Sequence, residues 1–453
     1  MIEPPDLKSL DGAAKDALIL ALFDRINALI AENGQLKDRV AKLEAKLGGP
    51  PKTPDNSSLP PSRGQKASGA ASSKPKGKPH AGSHRALHPD PTRTLAVRAE
   101  RCPHCAGDVS GATQTVCERY DRIELPEIKP DVTRVVLHGG ICPCCAKRFK
   151  APPPAGLAPG SPFGPGLRAF AIYLRFAHAV SFERLSRLMS DLLGVEISEG
   201  ALVNMLDGSR PAFARQASLI RARLLASSIL QSDETSVRVG TQTWWTWVFH
   251  HGDDCCFLIR PSRGKDVVAE FLGEVRPDFW VSDRLAAQIG WAGKDNQVCL
   301  AHLLREAQYA IDAGDTIFAP ALRKLLQRAC GIGARRASLA DATLRAYAYQ
   351  LDARLTPCCA APPSMLQDVI KGCRRHLFVF LANRAIPPTN NGSEQALRPC
   401  VIFRKVTNCF RSEWAARLYA DIRSVLETAR RRSIRAIDAI RLTLDERPLP
   451  IGP

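Results

Sequence analysis

Two Cys-x-x-Cys pairs constrain this chain more tightly than any other feature: Cys102-Pro103-His104-Cys105 and Cys142-Pro143-Cys144-Cys145. Two such knuckles can present four thiolates tetrahedrally to one zinc ion. Residues 101–150 are therefore expected to form a zinc ribbon with Cys102, Cys105, Cys142 and Cys145 as ligands. The metal would supply the folding free energy that so small a module lacks. Strand-like runs at Thr115–Ile123 and Val132–Leu137 suit such a ribbon. His104 and Cys144 sit inside the knuckles and are not expected to bind, and Cys117 reads as a buried thiol.

The chain carries 15 cysteines in 453 residues, and Met1 is followed by Ile2-Glu3-Pro4-Pro5 rather than a cationic stretch and an apolar run. No segment approaches the ~18 uncharged apolar residues of a membrane helix. Together these features predict a cytoplasmic protein whose cysteines are metal ligands and free thiols rather than a disulfide framework. The formal charge of +18 points to a polyanionic partner, because neutralising phosphates releases condensed counterions. DNA is the expected partner, with the protein associated with the nucleoid.

A heptad runs over residues 17–47. Leu22, Leu29, Leu36 and Leu43 recur every seven residues, interleaved with Ile19, Ile26, Asn33, Val40 and Leu47. β-Branched residues mostly at a and leucine at d favour a two-stranded parallel coiled coil, with Asn33 fixing register. A homodimer or higher oligomer follows. Gly48-Gly49-Pro50-Pro51 ends the helix, and residues 48–100 are rich in Pro, Ser, Gly and Lys. Such a composition buries too little apolar surface to fold, so a disordered basic linker is expected. From Arg63 to Arg101 nine Lys or Arg face only Asp90 and Glu100.

Beyond the Pro/Gly-rich connector 152–165 the pattern turns helical. Phe182–Leu193, a turn at Gly194, and a second helix capped by Ser198 make a helix-turn-helix-like pair within a DNA-binding domain at 163–226. From Ser227 strands are expected at Ile229–Val239, Trp244–His250, Cys255–Ile259 and Phe279–Val281, with helices at Lys265–Leu272 and His302–Ala313. This order predicts an α/β core with a mixed sheet at 227–412. Within it, about 314–385 reads as nearly all helix, and 413–453 as an Arg-rich helical segment containing Arg430-Arg431-Arg432. Trp244, Trp245 and Trp247 read as sheet core.

Three acids stand out. Asp233 lies inside the first strand, Asp283 ends a short apolar strand, and Glu394 opens a helix after Pro387-Pro388-Thr389-Asn390-Asn391-Gly392-Ser393. Phosphodiester chemistry needs carboxylates clustered in this way to hold two hard divalent cations. Each acid also has a local alternative: a strand-end turn for Asp233, a helix N-cap for Asp283, and an i,i+4 pair with Arg398 for Glu394.

Over essentially its whole length the chain resembles the large transposases of the insertion-sequence sixty-six family. The resemblance rests on the zipper, Lys52-Thr53-Pro54-Asp55-Asn56-Ser57-Ser58, the paired knuckles, Asp233-Glu234-Thr235, and Cys299-Leu300-Ala301-His302. It rests equally on Thr389-Asn390-Asn391-Gly392-Ser393-Glu394-Gln395-Ala396-Leu397-Arg398-Pro399. It implies a multidomain α+β protein with a ribonuclease-H-like core interrupted by a helical insertion. In it Asp233, Asp283 and Glu394 would hold two magnesium ions, with manganese as a substitute. The implied activity is DDE transposition: binding of terminal inverted repeats, strand cleavage and strand transfer, with small accessory proteins as partners. The family commonly has Thr-Asp-Gly-Tyr at its second acid. Here the segment is Ser282-Asp283-Arg284-Leu285, with Asp278 and Asp295 as neighbouring candidates.

Arg398, Arg404, Lys405 and His302 are expected to contact DNA. Cys299 and His302 are also compatible with a metal pair or with a buried thiol and a helix-capping imidazole. Two other functions fit the same residues, a DNA-binding repressor without cleavage and a structure-specific nuclease of the same fold.

Overall fold

The computed structural model describes residues 11–46, 49–57, 85–358 and 365–451. Residues 58–84 of the basic linker and Leu47 of the heptad lie outside them, as do the side chains of Val40 and Leu43. By contact density the chain divides into two compact units: Met1–Gln65 with Gly160–Leu185 and Ser198–Pro453, and Lys66–Pro159 with Ser186–Ile197.

In the larger unit, α1 (Gly12–Lys46) is one 35-residue helix, and its heptad residues Ile19, Leu22, Ile26, Leu29 and Leu36 are all exposed. The segment after it is not featureless. Asn56 is buried, accepts the Thr53 N–H at 2.6 Å and donates to Pro51 O at 3.1 Å and Asp312 Oδ2 at 2.8 Å. These bonds hold Pro51–Ser57 as a compact turn despite a composition that suggests a linker.

The smaller unit contains one short hairpin, β1 (Gly139–Ile141) and β2 (Arg148–Lys150), paired antiparallel. The runs Thr115–Ile123 and Val132–Leu137 form no strands, and Cys117 is exposed rather than buried. The physical reason is visible in Val116, Tyr120, Ile123 and Val132. All four are exposed, so an extended pattern without a face to cover it has nothing to order it.

Four helices lead from there to the sheet: α2 (Pro165–Ile172), α3 (Phe182–Leu193), α4 (Glu199–Asp207) and α5 (Arg210–Leu225). Gly194 takes φ 62° at the end of α3, where a Cβ would be strained. Ser198 Oγ accepts the Ala201 N–H at 3.2 Å and caps α4.

The sheet has five strands: β3 (Ile229–Val239), β4 (Gln242–His251), β5 (Asp254–Arg260), β6 (Phe279–Ser282) and β7 (Asp295–Val298). Their order is β5-β4-β3-β6-β7, antiparallel from β5 to β3 and parallel from β3 to β7. This mixed sheet with helices on both faces is the architecture expected of a ribonuclease-H-like core. β7 is a correction to the sequence reading, which expected strands only as far as Phe279–Val281. Its Asp-Asn-Gln-Val sequence lacks an apolar alternation because Gln297 is spent on backbone groups. It donates to Leu377 O at 3.0 Å and accepts the Phe380 N–H at 3.0 Å.

α6 (Lys265–Leu272) links β5 to β6. After β7 come α7 (Leu300–Asp312) and the helical insertion: α8 (Phe318–Arg335), α9 (Asp341–Cys358), α10 (Met365–Cys373) and α11 (Val379–Ala382). These helices bury their own apolar cluster against Ile229, Val281 and Val298 of the sheet. Finally α12 (Asn391–Thr407), α13 (Glu413–Arg431) and α14 (Ala436–Leu444) share a second cluster with β3–β6, in which Trp244, Trp247, Phe249 and Trp280 are buried. α13 has 12 buried residues and packs on β5 and α5, so the segment beyond 413 belongs to the same packed core. Among the described residues no helix is long and apolar enough to cross a membrane.

Candidate active site

Strand period brings the first two acids together. β3 and β6 pair in parallel with Ile229 opposite Phe279, Leu230 opposite Trp280 and Gln231 opposite Val281. Side chains two residues apart share a face, so Asp233 and Asp283 each stand one step beyond the last paired position on the same face. Asp283 follows the carboxyl end of β6, where open α/β sheets expose their sites. Its Oδ1 accepts the Leu285 N–H at 2.8 Å, which closes the turn into the following residues.

Asp278 and Asp295 lie at the opposite end of the parallel strands, engaged elsewhere. Asp278 pairs with Lys294 at 3.0 Å, and Asp295 with His376 Nδ1 at 2.6 Å. Of the three candidates for the second acid, Asp283 is among the largest electrostatic influences on Asp233.

Glu394 arrives on the first turn of α12. It does not pair with Arg398. Instead its carboxylate faces Arg305 of α7 at 3.4 and 3.5 Å and His302 Nε2 at 3.7 Å. The other ring nitrogen of His302 is buried and has no hydrogen-bond partner among the described residues. Burial pushes the Asp233 carboxyl well above the usual range, and the neighbouring charges of Glu234, Asp283 and Glu394 push it the same way. The Glu234 N–H donated to Asp233 Oδ1 only partly offsets this. Asp233 thus carries its charge at a cost among acidic neighbours in a low-dielectric setting, which a cation would relieve.

Glu234 points to the other face and is differently occupied. Arg263 donates to it at 2.6 and 2.9 Å, and the Gln288 amide also donates. Gln288 accepts from Ser232 Oγ at 2.6 Å, which in turn accepts from Trp280 Nε1 at 2.9 Å. This buried network holds β3 to β6 immediately beneath Asp233. A cleft of about 220 Å³ opens among Asp283, Arg284, Leu285, His302 and Glu306. A second of about 220 Å³ also borders Asp283 and is lined in part by Asn296, Cys373 and His376.

Of the four residues expected at DNA, His302 stands beside Glu394, while Arg398 and Lys405 are exposed on α12. Arg404 is half-buried and donates to Thr235 Oγ1 at 3.2 Å and to the carbonyl of Ser236, tying α12 to β3. The sequence reading missed Arg305, His250 and the roles of Asn390 and Ser393. Only the polar run before Glu394 signalled the last two. Cys299 is buried, and its sulfur accepts the Asn390 N–H at 3.1 Å.

The two cysteine knuckles fold alike. Cys102 N–H donates to Gly107 O and Ala106 N–H to Cys102 O, both at 2.8 Å; Cys142 N–H donates to Lys147 O and Ala146 N–H to Cys142 O, both at 2.9 Å. Ala106 and Ala146 adopt φ 58° and 54°. Backbone N–H groups of His104 and Cys105 lower the Cys102 thiol, and those of Cys145 and Cys144 lower the Cys142 thiol. Each turn therefore favours a thiolate, the form that binds metal. Among the described residues no three His, Cys, Asp or Glu side chains already stand as a metal-holding group. The donor chemistry nonetheless fits, with oxygens for a hard divalent cation at the acids and thiols for zinc at the knuckles.

A mixed five-stranded sheet with helices packed against it fits a ribonuclease-H-like core. Residues 160–418, more than half of the chain, match the family described as Transposase IS66 family. The chain belongs to the IS66 transposase family. A search of curated proteins found no match.

Proposed function

We propose that the chain is the transposase of a bacterial insertion sequence. In this reading it binds the terminal inverted repeats of its element, cleaves a strand there, and joins the liberated 3′-hydroxyl to target DNA. The observation that carries it is the convergence of Asp233, Asp283 and Glu394 from a central strand, its parallel neighbour and a facing helix, in a chain of this family. Two magnesium ions held by these three acids, with manganese as a substitute, would activate the attacking oxygen and stabilise the leaving oxygen.

The chain's own groups do the rest. Arg305 offsets the charge of Glu394, and His302 stands beside it, while the site is open to solvent. The exposed Arg398 and Lys405 offer phosphate contacts along α12, and Arg404 holds that helix to β3. Positioning and fixed electrostatics would supply most of the rate. One zinc ion on Cys102, Cys105, Cys142 and Cys145 would order the ribbon. That ribbon, together with the helices of 163–226, would read the element ends. The exposed heptad face of α1 would pair with a second copy, because an apolar stripe of this length needs cover. Small accessory proteins are further partners in this reading, and the protein would work on DNA in the cytoplasm.

The test is strand cleavage and joining on duplexes carrying the element's own ends, with magnesium, comparing wild type with Asp283→Asn. Products from wild type alone support the reading. Equal activity in both would move the second acid elsewhere. Specific end binding without cleavage by either, accessory proteins included, would leave a DNA-binding repressor instead.

A further inference from the structure

One amide in the fold touches the segments that carry Asp233 and Glu394, and the residue before the helix that carries His302 and Arg305. Asn390 is fully buried, and each of its polar groups is used. Its N–H donates to Cys299 Sγ at 3.1 Å, at the residue preceding α7, whose first turns carry His302 and Arg305. Its Nδ2 donates to Ser232 O at 2.7 Å, one residue before Asp233. Its Oδ1 accepts Ser393 Oγ at 2.7 Å, one residue before Glu394, and its carbonyl accepts the Ser393 and Glu394 N–H groups at 3.0 and 3.4 Å.

The chain of bonds continues away from the site. Ser393 Oγ lies 2.9 Å from His250 Nε2, and His250 Nδ1 lies 3.1 Å from an Arg431 nitrogen. Arginine can only donate, so His250 accepts at Nδ1 and carries its proton on Nε2. The order is then directional: Arg431 to His250, His250 to Ser393, Ser393 to Asn390, Asn390 to the β3 backbone. Gly392 completes the fit, since a Cβ there would come within 3.0 Å of the His250 ring.

We propose that Asn390 and His250 are positioning residues that set Glu394 against Asp233 without touching DNA. The inference rests on the reading of the three acids as the cation site. Residues that orient ligands from behind are typically worth about 10–100-fold in metal affinity or activity.

The test uses the full-length chain, with Asn390→Ala, Ser393→Ala, His250→Ala and His250→Gln compared with wild type and Asp233→Asn. Three quantities are read: cleavage against magnesium concentration, direct Mn²⁺ binding by electron paramagnetic resonance, and binding of end DNA without metal. Expected for Asn390→Ala and His250→Ala is a magnesium midpoint and an Mn²⁺ dissociation constant raised about 10-fold or more, with end binding within about twofold of wild type. Glutamine at 250 keeps a donor for Ser393 and should recover most of the loss.

Folded variants with wild-type metal affinity would overturn the inference, and so would losses that follow end binding while the metal midpoint stays put. Should Asn390→Ala fail to fold, Ser393→Ala and the two His250 variants decide on the same readouts. If Asp233→Asn still cleaves, the reading of the acids itself fails, and this inference with it. If Asp233→Asn is dead while the other variants behave as wild type, only the inference falls.

Discussion

The start of α12 and the end of α13 each hold a glutamate among arginines, and they hold it in opposite ways. Glu427 of α13 is 2% exposed and takes Arg430 at 2.6 Å and Arg431 at 3.1 Å, with Arg423 at 3.7 Å. Glu394 of α12 has a side chain 29% exposed, and its contacts to Arg305 and His302 are no shorter than 3.4 Å. The first carboxylate is saturated and the second keeps capacity in reserve. The same contrast separates the arginines. Arg431 also bonds Gly252 O and His250, and Arg432 pairs with Asp254 at 2.6 Å, whereas Arg398 is exposed. Part of the positive charge of this chain folds it, and only the remainder is free to meet phosphate.

Four outcomes would break or sharpen that contrast. The largest is expected for Glu394→Gln. It should lower strand cleavage by about four orders of magnitude, roughly 5.5 kcal/mol, while thermal melting stays that of wild type. A large drop in melting temperature would put Glu394 in the same structural class as Glu427. Next, Glu427→Ala leaves buried guanidinium groups uncompensated and should cost about 3–5 kcal/mol of stability, read from denaturant melts. Near-wild-type stability there would remove the distinction from the other side.

A third test is pH. Burial pushes the Glu427 carboxyl up, but hydrogen bonds and charge from Arg430, Arg431 and Arg423 outweigh it and hold it below the usual glutamate range. A carboxylate depressed on folding adds stability above its unfolded value of about 4.3. That stability is lost as pH falls through the folded value. Wild type should therefore weaken in acid, and Glu427→Gln should show a flatter stability profile below about pH 4.3. The smallest effect is expected on α12. Arg398→Ala and Lys405→Ala should each reduce the salt slope of DNA binding by about 1, with no change in melting. Substituting Arg430 should leave that slope as it is, because its charge already belongs to Glu427.

Much of this was legible in the sequence where local pattern and packing agree. β3, α3 and α6 follow their periodicities residue for residue, and the three candidate acids were picked out by local setting, Asp233 inside β3, Asp283 just past β6 and Glu394 in the first turn of α12. β7 was missed because an edge strand whose side chains bond the insertion carries no alternation of polarity. The runs at 115–123 and 132–137 misled for the converse reason, having alternation without a face to bury. Asn56 sits in a Pro/Ser-rich stretch yet is buried, because one distant partner, Asp312, gives its amide an acceptor.

The sequence by itself determined which residue types were at hand: three acids spaced for a sheet and a helix, two thiol pairs spaced for knuckles, a heptad, and a surplus of cations. These are properties of spacing along the chain, and spacing survives without knowledge of the fold. Only the tertiary structure decided which charges are used up. Arg430, Arg431, Arg432 and Arg404 look no different in sequence from Arg398, and Glu427 looks no different from Glu394. Their roles depend on how many acceptors and donors come within about 3 Å from residues far away in the chain, and that number exists only once the chain has packed.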